Sequence, residues 1–247
     1  SPVKSFPYYI ATGYHRLKST CKTTYQSSDS IVEKSVFAYD TERPYNIISK
    51  SSLCSGGAEQ VERTYYSNNT IPDKESLTTS QRSAIQLLTS RNYLTTPVQQ
   101  TMEKKDKRLY SVLRGYSSSL SSGMVVEDQY YCKGTDKYEK RISYNKYDIY
   151  GNPVYINKDG AEKVVYLWGY KGQYLLAEIK GATYEEVKKA LKMDPASMSS
   201  CILPSIPLYL DMIDNLYKAL PSALITSYTY HPLIGISGII SPNKAKT

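Results

Sequence analysis

The sequence predicts a mainly β protein in which antiparallel hairpin or meander repeats form a curled sheet with short helical insertions. The first observation is the aromatic content, because the chain has 26 Tyr but only 2 Phe and 1 Trp. Tyrosine favours half-covered strands, since its ring can be buried while its hydroxyl reaches water. The second is a succession of short segments of high β propensity separated by turn residues. The third is an Asp-Gly pair between two such segments, which is a strong hairpin signal.

The chain has the length and composition of a folded domain, with 247 residues, 40% of them hydrophobic and 22% charged. We predict one β domain over residues 1–247, with a split near 68–95 as the alternative. No apolar run reaches the roughly 18 residues of a membrane helix, so we predict no transmembrane segment. The net charge is +8, but the basic residues are dispersed, whereas nucleic-acid binding favours a basic stripe. We therefore expect no nucleic acid as a partner.

Two hairpins are predicted in the first part of the chain. Residues 17–25 and 31–39 are rich in Thr, Ser and Val and flank a polar tract. Residues 47–53 and 59–66 flank Cys54-Ser55-Gly56-Gly57, whose glycines allow the positive φ of a tight turn. The pattern predicts four strands in chain order.

Two helical segments are predicted, at residues 79–91 and 183–220. Each opens on the spacing of a capping box and continues with apolar residues at helical intervals. A further amphipathic stripe ends at Pro221. The polar faces carry no cluster of side chains suited to a chemical function, so we expect these helices to cover a face or edge of the sheet. The two boxes are Thr78 with Gln81 and Thr183 with Glu186.

An internal repeat is visible at prolines that open strands. Pro97 is followed after thirteen residues by Tyr110, and Pro153 after the same interval by Tyr166. Proline is tolerated as the first residue of a strand because the hydrogen-bond ladder needs no donor there. Pro232 is predicted to open a third such strand. The recurrence indicates units that bury apolar surface against their neighbours.

The segment 144–170 has the densest set of turn signals. Asp148 can cap a turn through its carboxylate, as Asx-turn residues do. Gly151 allows a left-handed residue, and Asp159-Gly160 predicts a two-residue hairpin turn. The predicted structural turn residues are Tyr147, Asp148, Gly151, Asp159 and Gly160.

This arrangement resembles the repeat unit of the YD (rearrangement-hotspot, Rhs-like) family of bacterial proteins. The shared features are Tyr147-Asp148, then Gly151 after two residues, a strand, the Asp159-Gly160 turn and a returning tyrosine-rich strand. Tyr39-Asp40 is a degenerate copy without the glycine, and Tyr230-His231 is a copy in which histidine replaces aspartate. The resemblance implies a repetitive scaffold, a fragment of a large cell-surface or secreted protein, whose partners are the other repeats of the parent protein.

Patterns for catalysis, metal binding or cofactor binding are weak. The histidines, His15 and His231, lie in no recognisable nucleophile motif. The cysteines at positions 21, 54, 132 and 201 lack zinc-site spacing, and their disulfide state stays open. We predict no catalytic residue, no metal, no cofactor and no enzyme. The carboxylate pairs tested for glycoside hydrolysis, and assigned instead to turns, solvent faces or strand alternation, are Glu127 with Asp128, Glu185 with Glu186 and Asp211 with Asp214.

Two functional hypotheses follow. The first is a non-catalytic structural or interaction scaffold located outside the bacterial cell or on its surface. The second is a carbohydrate-binding module in which an exposed aromatic strip contacts a surface polysaccharide; another protein is the remaining partner class. The residues assigned to the strip are Tyr155, Tyr166, Trp168, Tyr170 and Tyr174.

Overall fold

A computed structural model describes residues 13, 15–27, 29–53, 57–119, 123–200, 206–231 and 234–242. Strands hold 52% of the residues and helices 18%, which confirms the predicted mainly β class. The strands are β1 (Ser19–Gln26), β2 (Asp29–Tyr39), β3 (Ile47–Leu53), β4 (Glu59–Tyr66), β5 (Pro97–Lys104), β6 (Lys107–Ser119), β7 (Gly123–Lys133), β8 (Glu139–Tyr147), β9 (Pro153–Lys158), β10 (Glu162–Gly169), β11 (Tyr174–Lys180), β12 (Leu224–His231) and β13 (Gly235–Ile240). The helices are α1 (Thr79–Ser90), α2 (Tyr184–Leu191) and α3 (Ile206–Ala219), with short 3₁₀ segments at Lys74–Ser76 and Pro195–Ser200.

The strands are antiparallel and follow one another in the sheet in chain order. This is the topology of a β meander, so the predicted meander is confirmed. Strands β3 and β4 have the bounds that the sequence predicts. The helices occupy the two predicted segments, since α1 lies in 79–91 and both α2 and α3 lie in 183–220.

Some predicted features lie outside the described residues. They include Cys54, Gly56 and Cys201, together with Pro232 as the first residue of a third proline-led strand. The other two cysteines, Cys21 and Cys132, are free thiols, exposed and buried respectively.

The chain divides into two compact units. The first comprises residues 1–64 and 102–107, and the second comprises residues 65–101 and 108–247. The division thus falls just before Tyr65, and the tip of the β5–β6 hairpin belongs to the first unit.

The first unit exposes much of its apolar surface. Ile31 and Val32 are neighbours on β2 and point to opposite faces, yet they are 54% and 55% exposed. Tyr25 of β1 is 80% exposed. Among the described residues, this end of the β1–β2 hairpin is therefore covered on neither face, which suits the Thr, Ser and Lys side chains that alternate with the apolar ones.

The second unit carries its helices on one face of the sheet. Gly115 is opposite Asp128, and Asp128 is opposite Ser143 in the strand register, so all three share a face. Gln81 of α1 bonds to Asp128 at 3.0 Å, which places α1 on that face. The register continues from Ser143 through Asn157 to Lys163, two residues before Val165, which packs against α2 and α3. We name this surface the helix face.

Two apolar clusters lie between the helices and the strands. Around α1, Ile85 and Leu88 pack with Val98 and Leu113. Around α2 and α3, the buried residues are Val187, Ile213 and Leu216 on the helices and Val165, Leu167, Ile179 and Ile225 on the strands. Burial of such side chains stabilises a fold by about 1.5–3 kcal/mol each. The helices therefore form the apolar cover that the sequence predicts for a sheet face.

The two predicted capping boxes are both present. Thr78 accepts a hydrogen bond from the Gln81 backbone N–H at 3.2 Å, and the Gln81 side chain accepts from the Thr78 N–H at the same distance. Thr183 and Glu186 exchange the corresponding bonds at the start of α2. These reciprocal bonds satisfy backbone donors that a helix start otherwise leaves unpaired.

Candidate functional site

The turn after β8 is built around a buried aspartate. The Asp148 side chain is 1% exposed. Its Oδ1 accepts from the backbone N–H groups of Tyr150 at 2.9 Å and Asn152 at 2.8 Å, and its Oδ2 accepts from the Asn152 amide at 3.0 Å. The Asp148 N–H donates to the Asn152 carbonyl at 3.0 Å. Gly151 has a φ of 85°, a backbone conformation that residues with a Cβ rarely adopt.

The degenerate Tyr39-Asp40 copy has the same arrangement with a longer loop. Asp40 Oδ1 accepts from the N–H groups of Glu42 at 2.8 Å and Arg43 at 3.0 Å. The Asp40 N–H donates to the Asn46 carbonyl at 2.9 Å. Asn46 thus takes the place of Asn152, and each asparagine immediately precedes the next strand. The sequence pattern matches Asp40 to Asp148 but does not identify Asn46 as the counterpart of Asn152, because the loops differ in length.

A third copy carries a helix in place of the turn. The Ser67 N–H at the end of β4 donates to the Thr96 carbonyl at 3.1 Å, and Pro97 then opens β5. Thr96-Pro97 is therefore the counterpart of Asn152-Pro153, while Ser67 stands at the aspartate position. The α1 segment lies between the two ends. Inserting a segment at a closed turn costs little free energy, because the entropy cost of loop closure grows only logarithmically with loop length.

Tyrosines at three strand ends make one recurring hydrogen bond. The hydroxyl of Tyr39 donates to the Leu17 carbonyl at 2.9 Å, and that of Tyr147 to the Val126 carbonyl at 2.5 Å. The Tyr230 hydroxyl donates to the Leu175 carbonyl at 2.8 Å. Each acceptor lies on or beside the preceding strand, and each tyrosine immediately precedes a turn residue, Asp40, Asp148 or His231. The bond ties each turn to the preceding strand.

A second recurring bond reaches the prolines that open strands. The Tyr116 hydroxyl on β6 donates to the Pro97 carbonyl at 2.8 Å. The Trp168 Nε1–H on β10 donates to the Pro153 carbonyl at 2.8 Å. The thirteen-residue interval in the sequence selects Tyr110 and Tyr166, but these hydrogen bonds come from residues further along the returning strands. The donors differ in type and interval, so the sequence offered no signal for them.

The predicted aromatic strip is divided between the two faces of the sheet. Tyr155 is opposite Val165 in the register and therefore lies on the helix face, where its ring centroid is 5.9 Å from that of Tyr184 on α2. Tyr166 is opposite Glu178, and the alternation of β10 places Tyr166 and Trp168 on the other face. The expectation of one continuous strip is therefore wrong.

The remaining two strip residues pack with other tyrosines. Tyr170 packs against the apolar cluster of α2 and α3 and meets Tyr174 edge to face at 5.2 Å. Tyr174 in turn lies 4.7 Å from Tyr230, measured between ring centroids. All five strip residues are half-buried. Their ring contacts are those of a structural cluster, and tyrosine pairs of this kind contribute about 0.5–1.5 kcal/mol beyond burial.

The Asp159-Gly160 turn has the predicted backbone. Asp159 has a φ of 48° and Gly160 a φ of 73°, and two successive positive values define a type I′ turn, which matches the twist of the flanking strands. The Ala161 N–H closes the turn on the Lys158 carbonyl at 3.1 Å. Arg141 on β8 pairs with the Asp159 carboxylate at 3.0 Å. This exposed ion pair is a minor contribution to stability.

A half-buried polar cluster holds the loop after β4 against β5 and β6. Asp73 Oδ2 accepts from Arg108 at 2.6 Å, from Gln99 at 2.5 Å and from the Tyr138 hydroxyl at 2.9 Å. Ser111, which is fully buried, lies 2.6 Å from the same hydroxyl. Burial raises the pKa of Tyr138, so the phenol stays protonated and cannot serve as a base for Ser111. The cluster is structural.

The carboxylate pairs named from the sequence have structural or solvent positions. Gln81 donates to Glu127 at 2.9 Å and to Asp128 at 3.0 Å, which fixes both against α1. Glu186 caps α2, and Asp211 and Asp214 are exposed. In the part of the chain that the structure describes, no group of three His, Cys, Asp or Glu side chains is placed to hold a metal ion. No described helix has the length and apolar character needed to cross a membrane.

Burial of the tyrosines predicts a loss of stability at alkaline pH. Tyrosine in an unfolded chain titrates near 10, whereas burial raises the pKa of Tyr116 and Tyr166 to about 12. Between these pKa values the tyrosines of the unfolded chain lose protons that those of the folded chain retain. The free energy of unfolding therefore falls as the pH rises. Urea unfolding at pH 8, 10 and 11 measures the decline. Tyr116→Phe with Tyr166→Phe should make it shallower, and an unchanged slope would contradict this origin.

No protein-family model matches the chain, and no curated protein does.

Proposed function

We propose that the chain is a non-catalytic scaffold of the YD-repeat kind, in which successive hairpins are fastened to one another at their turns. The observation that carries this proposal is the recurrence of one turn geometry at Asp40, Asp148 and Ser67, in which the backbone N–H bonds to the residue that closes the loop. The described side chains around these residues do not form the arrangement that a catalytic site needs. The turns therefore support a mechanical role.

The recurring bonds explain how such a scaffold holds its register. A strand pair can slip by one residue and turn every side chain to the wrong face. The hydroxyls of Tyr39, Tyr147 and Tyr230 each bond to one particular carbonyl near the preceding strand, and so favour one register. Tyr116 and Trp168 add the same restraint at the strands opened by proline. Phenylalanine could not replace tyrosine at these four positions, because only the hydroxyl supplies this bond.

The scaffold also explains where the helices are inserted. The α1 segment rises from the turn between Ser67 and Thr96, and α2 and α3 rise from the connection between β11 and β12. All three cover the helix face with apolar residues. Under this proposal the partners are other repeats of a larger protein, which is located on the bacterial surface or secreted. Carbohydrate binding at the predicted aromatic strip gains no support, because its five residues are half-buried and divided between two faces.

The equivalence of the turns can be tested by a graft. Residues 40–46, Asp-Thr-Glu-Arg-Pro-Tyr-Asn, are replaced by residues 148–152, Asp-Ile-Tyr-Gly-Asn. We expect the graft to keep the β2–β3 pairing, because both loops close with an aspartate N–H on an asparagine carbonyl. Amide hydrogen exchange over β2 and β3 and thermal unfolding measure the outcome.

The matched control is the same graft with its aspartate replaced by alanine. We expect it to lower the free energy of unfolding by about 1–3 kcal/mol relative to the aspartate graft, because buried backbone donors lose their acceptor. If the aspartate graft abolishes protection in β2 and β3, or if the two grafts unfold alike, the turns are not interchangeable units and the repeat-scaffold proposal fails.

A further inference from the structure

A groove of about 690 Å³ runs along α1 in the second unit. One wall consists of α1 side chains at helical spacing within residues 82–90, and the other wall belongs to the loop 67–75 that precedes the helix. The helix rises by about 12 Å over that stretch, which sets the length of the groove. The volume is within the range of pockets that hold small ligands.

The groove belongs to the segment that is inserted at a scaffold turn. Residues 68–95 stand between Ser67 and Thr96, where the turn at Asp148 has only residues 149–151. The turn closes with either segment, so the scaffold itself does not require the groove. Binding residues are often carried by segments that a rigid framework positions. The groove is therefore a candidate for a function beyond that of the scaffold.

Side-chain bonds join the two walls near each end of the groove. Glu75 of the loop forms an ion pair with Arg82 in the first turns of α1. The Thr89 hydroxyl, near the end of α1, donates to the Ser67 carbonyl at 2.8 Å. The loop thus runs antiparallel to the helix and is fixed to it at both ends. A cleft that is held open in this way loses little conformational entropy when a ligand binds.

The groove has an apolar base and polar walls. Ile71 and Ile85 line the base, are 6% and 8% exposed, and belong to the apolar cluster around α1. Thr70, Lys74 and Gln86 line the walls and are exposed. Within the described part of the chain, the side chains of these three residues form no hydrogen bond or ion pair. They leave one ammonium group, one hydroxyl and one amide available to a ligand.

We propose that this groove binds the C-terminal end of an extended peptide that carries an aliphatic side chain. The terminal carboxylate would bond to Lys74, since charge-assisted bonds are the stronger class. The Gln86 amide and the Thr70 hydroxyl can each donate and accept, and a peptide backbone presents both kinds of group. The aliphatic side chain would lie on Ile71 and Ile85. Three extended residues span about 10 Å, which fits the length of the groove.

The lining favours a peptide over the other classes of ligand. A sugar ring packs on flat aromatic surfaces, and no aromatic side chain is among the described residues that line the groove. A nucleic acid needs a row of cations to match its phosphates, whereas the charge of Arg82 is engaged by Glu75 and leaves Lys74. The bonds that join the walls at both ends favour a chain terminus over a segment that passes through. The inference goes beyond the scaffold proposal, because the turn is closed with or without a bound peptide.

The probe is acetyl-Ala-Leu-Ala with a free C-terminal carboxylate, titrated at low ionic strength and followed by the backbone amide shifts of the protein. The comparison peptides are the same sequence with a C-terminal carboxamide, and acetyl-Ala-Ser-Ala with a free carboxylate. We expect the first peptide to shift amides within residues 67–75 and 82–90 and to bind more tightly than either comparison peptide. Lys74→Gln should raise its Kd by about tenfold or more, the loss that one charge-assisted bond carries. Gln86→Ala should raise it about two- to tenfold, the loss of a neutral bond.

Two variants outside the groove are the matched controls. Lys189→Gln makes the same change of charge as Lys74→Gln at an exposed position on α2, and the described lining of the groove includes no residue of α2. Ser83→Ala shortens an exposed side chain on α1 that is not part of the lining. Both variants should leave the Kd unchanged. The amide spectrum of each variant establishes that its fold is intact.

Several results would overturn the proposal. They are the absence of amide shifts with the carboxylate peptide at millimolar concentration, equal affinity for the carboxamide peptide, and an equal rise in Kd for Lys189→Gln. Tighter binding of maltotriose or of a trithymidylate, weakened by Lys74→Gln, would assign the groove to a sugar or a nucleic acid instead. Because none of these variants changes residues 40–46, their failure leaves the graft experiment on the turns unaffected.

Discussion

Asp148→Ala is expected to lower the free energy of unfolding by about 3 kcal/mol, since a buried donor left without its acceptor costs about 1–3 kcal/mol. The carboxylate accepts from two backbone N–H groups and from the Asn152 amide. The Asn152 amide also donates to the Gly172 carbonyl at 2.8 Å, so loss of Asp148 also weakens the contact with the turn between β10 and β11. Chemical denaturation followed by circular dichroism measures the loss.

The control for this prediction is Asp159→Asn in the neighbouring hairpin turn. Its side chain is 63% exposed and, within the described part of the chain, forms an ion pair with the exposed Arg141 alone. Asparagine tolerates the positive φ of that position, so the expected change is within about 0.5 kcal/mol. Similar losses in the two variants would show that Asp148 contributes no more than an exposed turn residue, contrary to its burial.

Gly115→Ala is expected to destabilise the protein by about 1–3 kcal/mol, the range found when a packed core must accept extra atoms. A Cβ at this position would lie 2.4 Å from Cδ and 2.5 Å from Nε2 of Gln81. Gln81 is 1% exposed and is held by both the capping box of α1 and its bonds to Glu127 and Asp128. Moving its amide therefore breaks bonds at the start of the helix and on the sheet. Urea unfolding measures the effect.

A double-mutant cycle with Gln81→Ala identifies the cause. Gln81→Ala removes the amide that the new methyl group would meet, at the expense of the same hydrogen bonds. If the clash between the new methyl group and the Gln81 amide is the cause, Gly115→Ala should lower the free energy of unfolding little further in the Gln81→Ala background. The two effects would then be far from additive. Additive effects would place the origin of the Gly115→Ala loss elsewhere.

Local patterns predicted most of the secondary structure. Strands β3 and β4 begin and end where the sequence predicts, because turn residues bound a run of β-favouring side chains on both sides. The capping boxes at Thr78 and Thr183 follow from a spacing of three residues. The type I′ turn at Asp159-Gly160 follows from two adjacent residues. In each case the signal and the structure involve the same few residues.

The partners of the turn residues were not predictable in this way. Tyr147 bonds to a carbonyl 21 residues earlier and Tyr230 to one 55 residues earlier. The distance along the chain differs because insertions of different length lie between the strands. A sequence pattern reveals that a tyrosine precedes a turn residue, but only the paired strands reveal which carbonyl its hydroxyl reaches.

The predicted aromatic strip failed for a related reason. Neighbouring strand residues point to opposite faces, so membership of a face depends on the register between strands. Tyr155 shares a face with Val165, and Tyr166 therefore does not share it. A bulge between Leu167 and Trp168 changes the pairing with β11 once more. The tyrosine content indicates half-covered strands but does not indicate which rings lie together.

By itself the sequence determined that the chain forms an antiparallel, tyrosine-rich meander with two helical segments, because propensities, caps and tight turns act over a few residues. Only the tertiary structure decided that Ser67 stands at the position of Asp148, that Asn46 and Asn152 close equivalent turns, and that the helices cover one face of the second unit. Those facts depend on strand register, and register is set by contacts between residues that are distant in the chain.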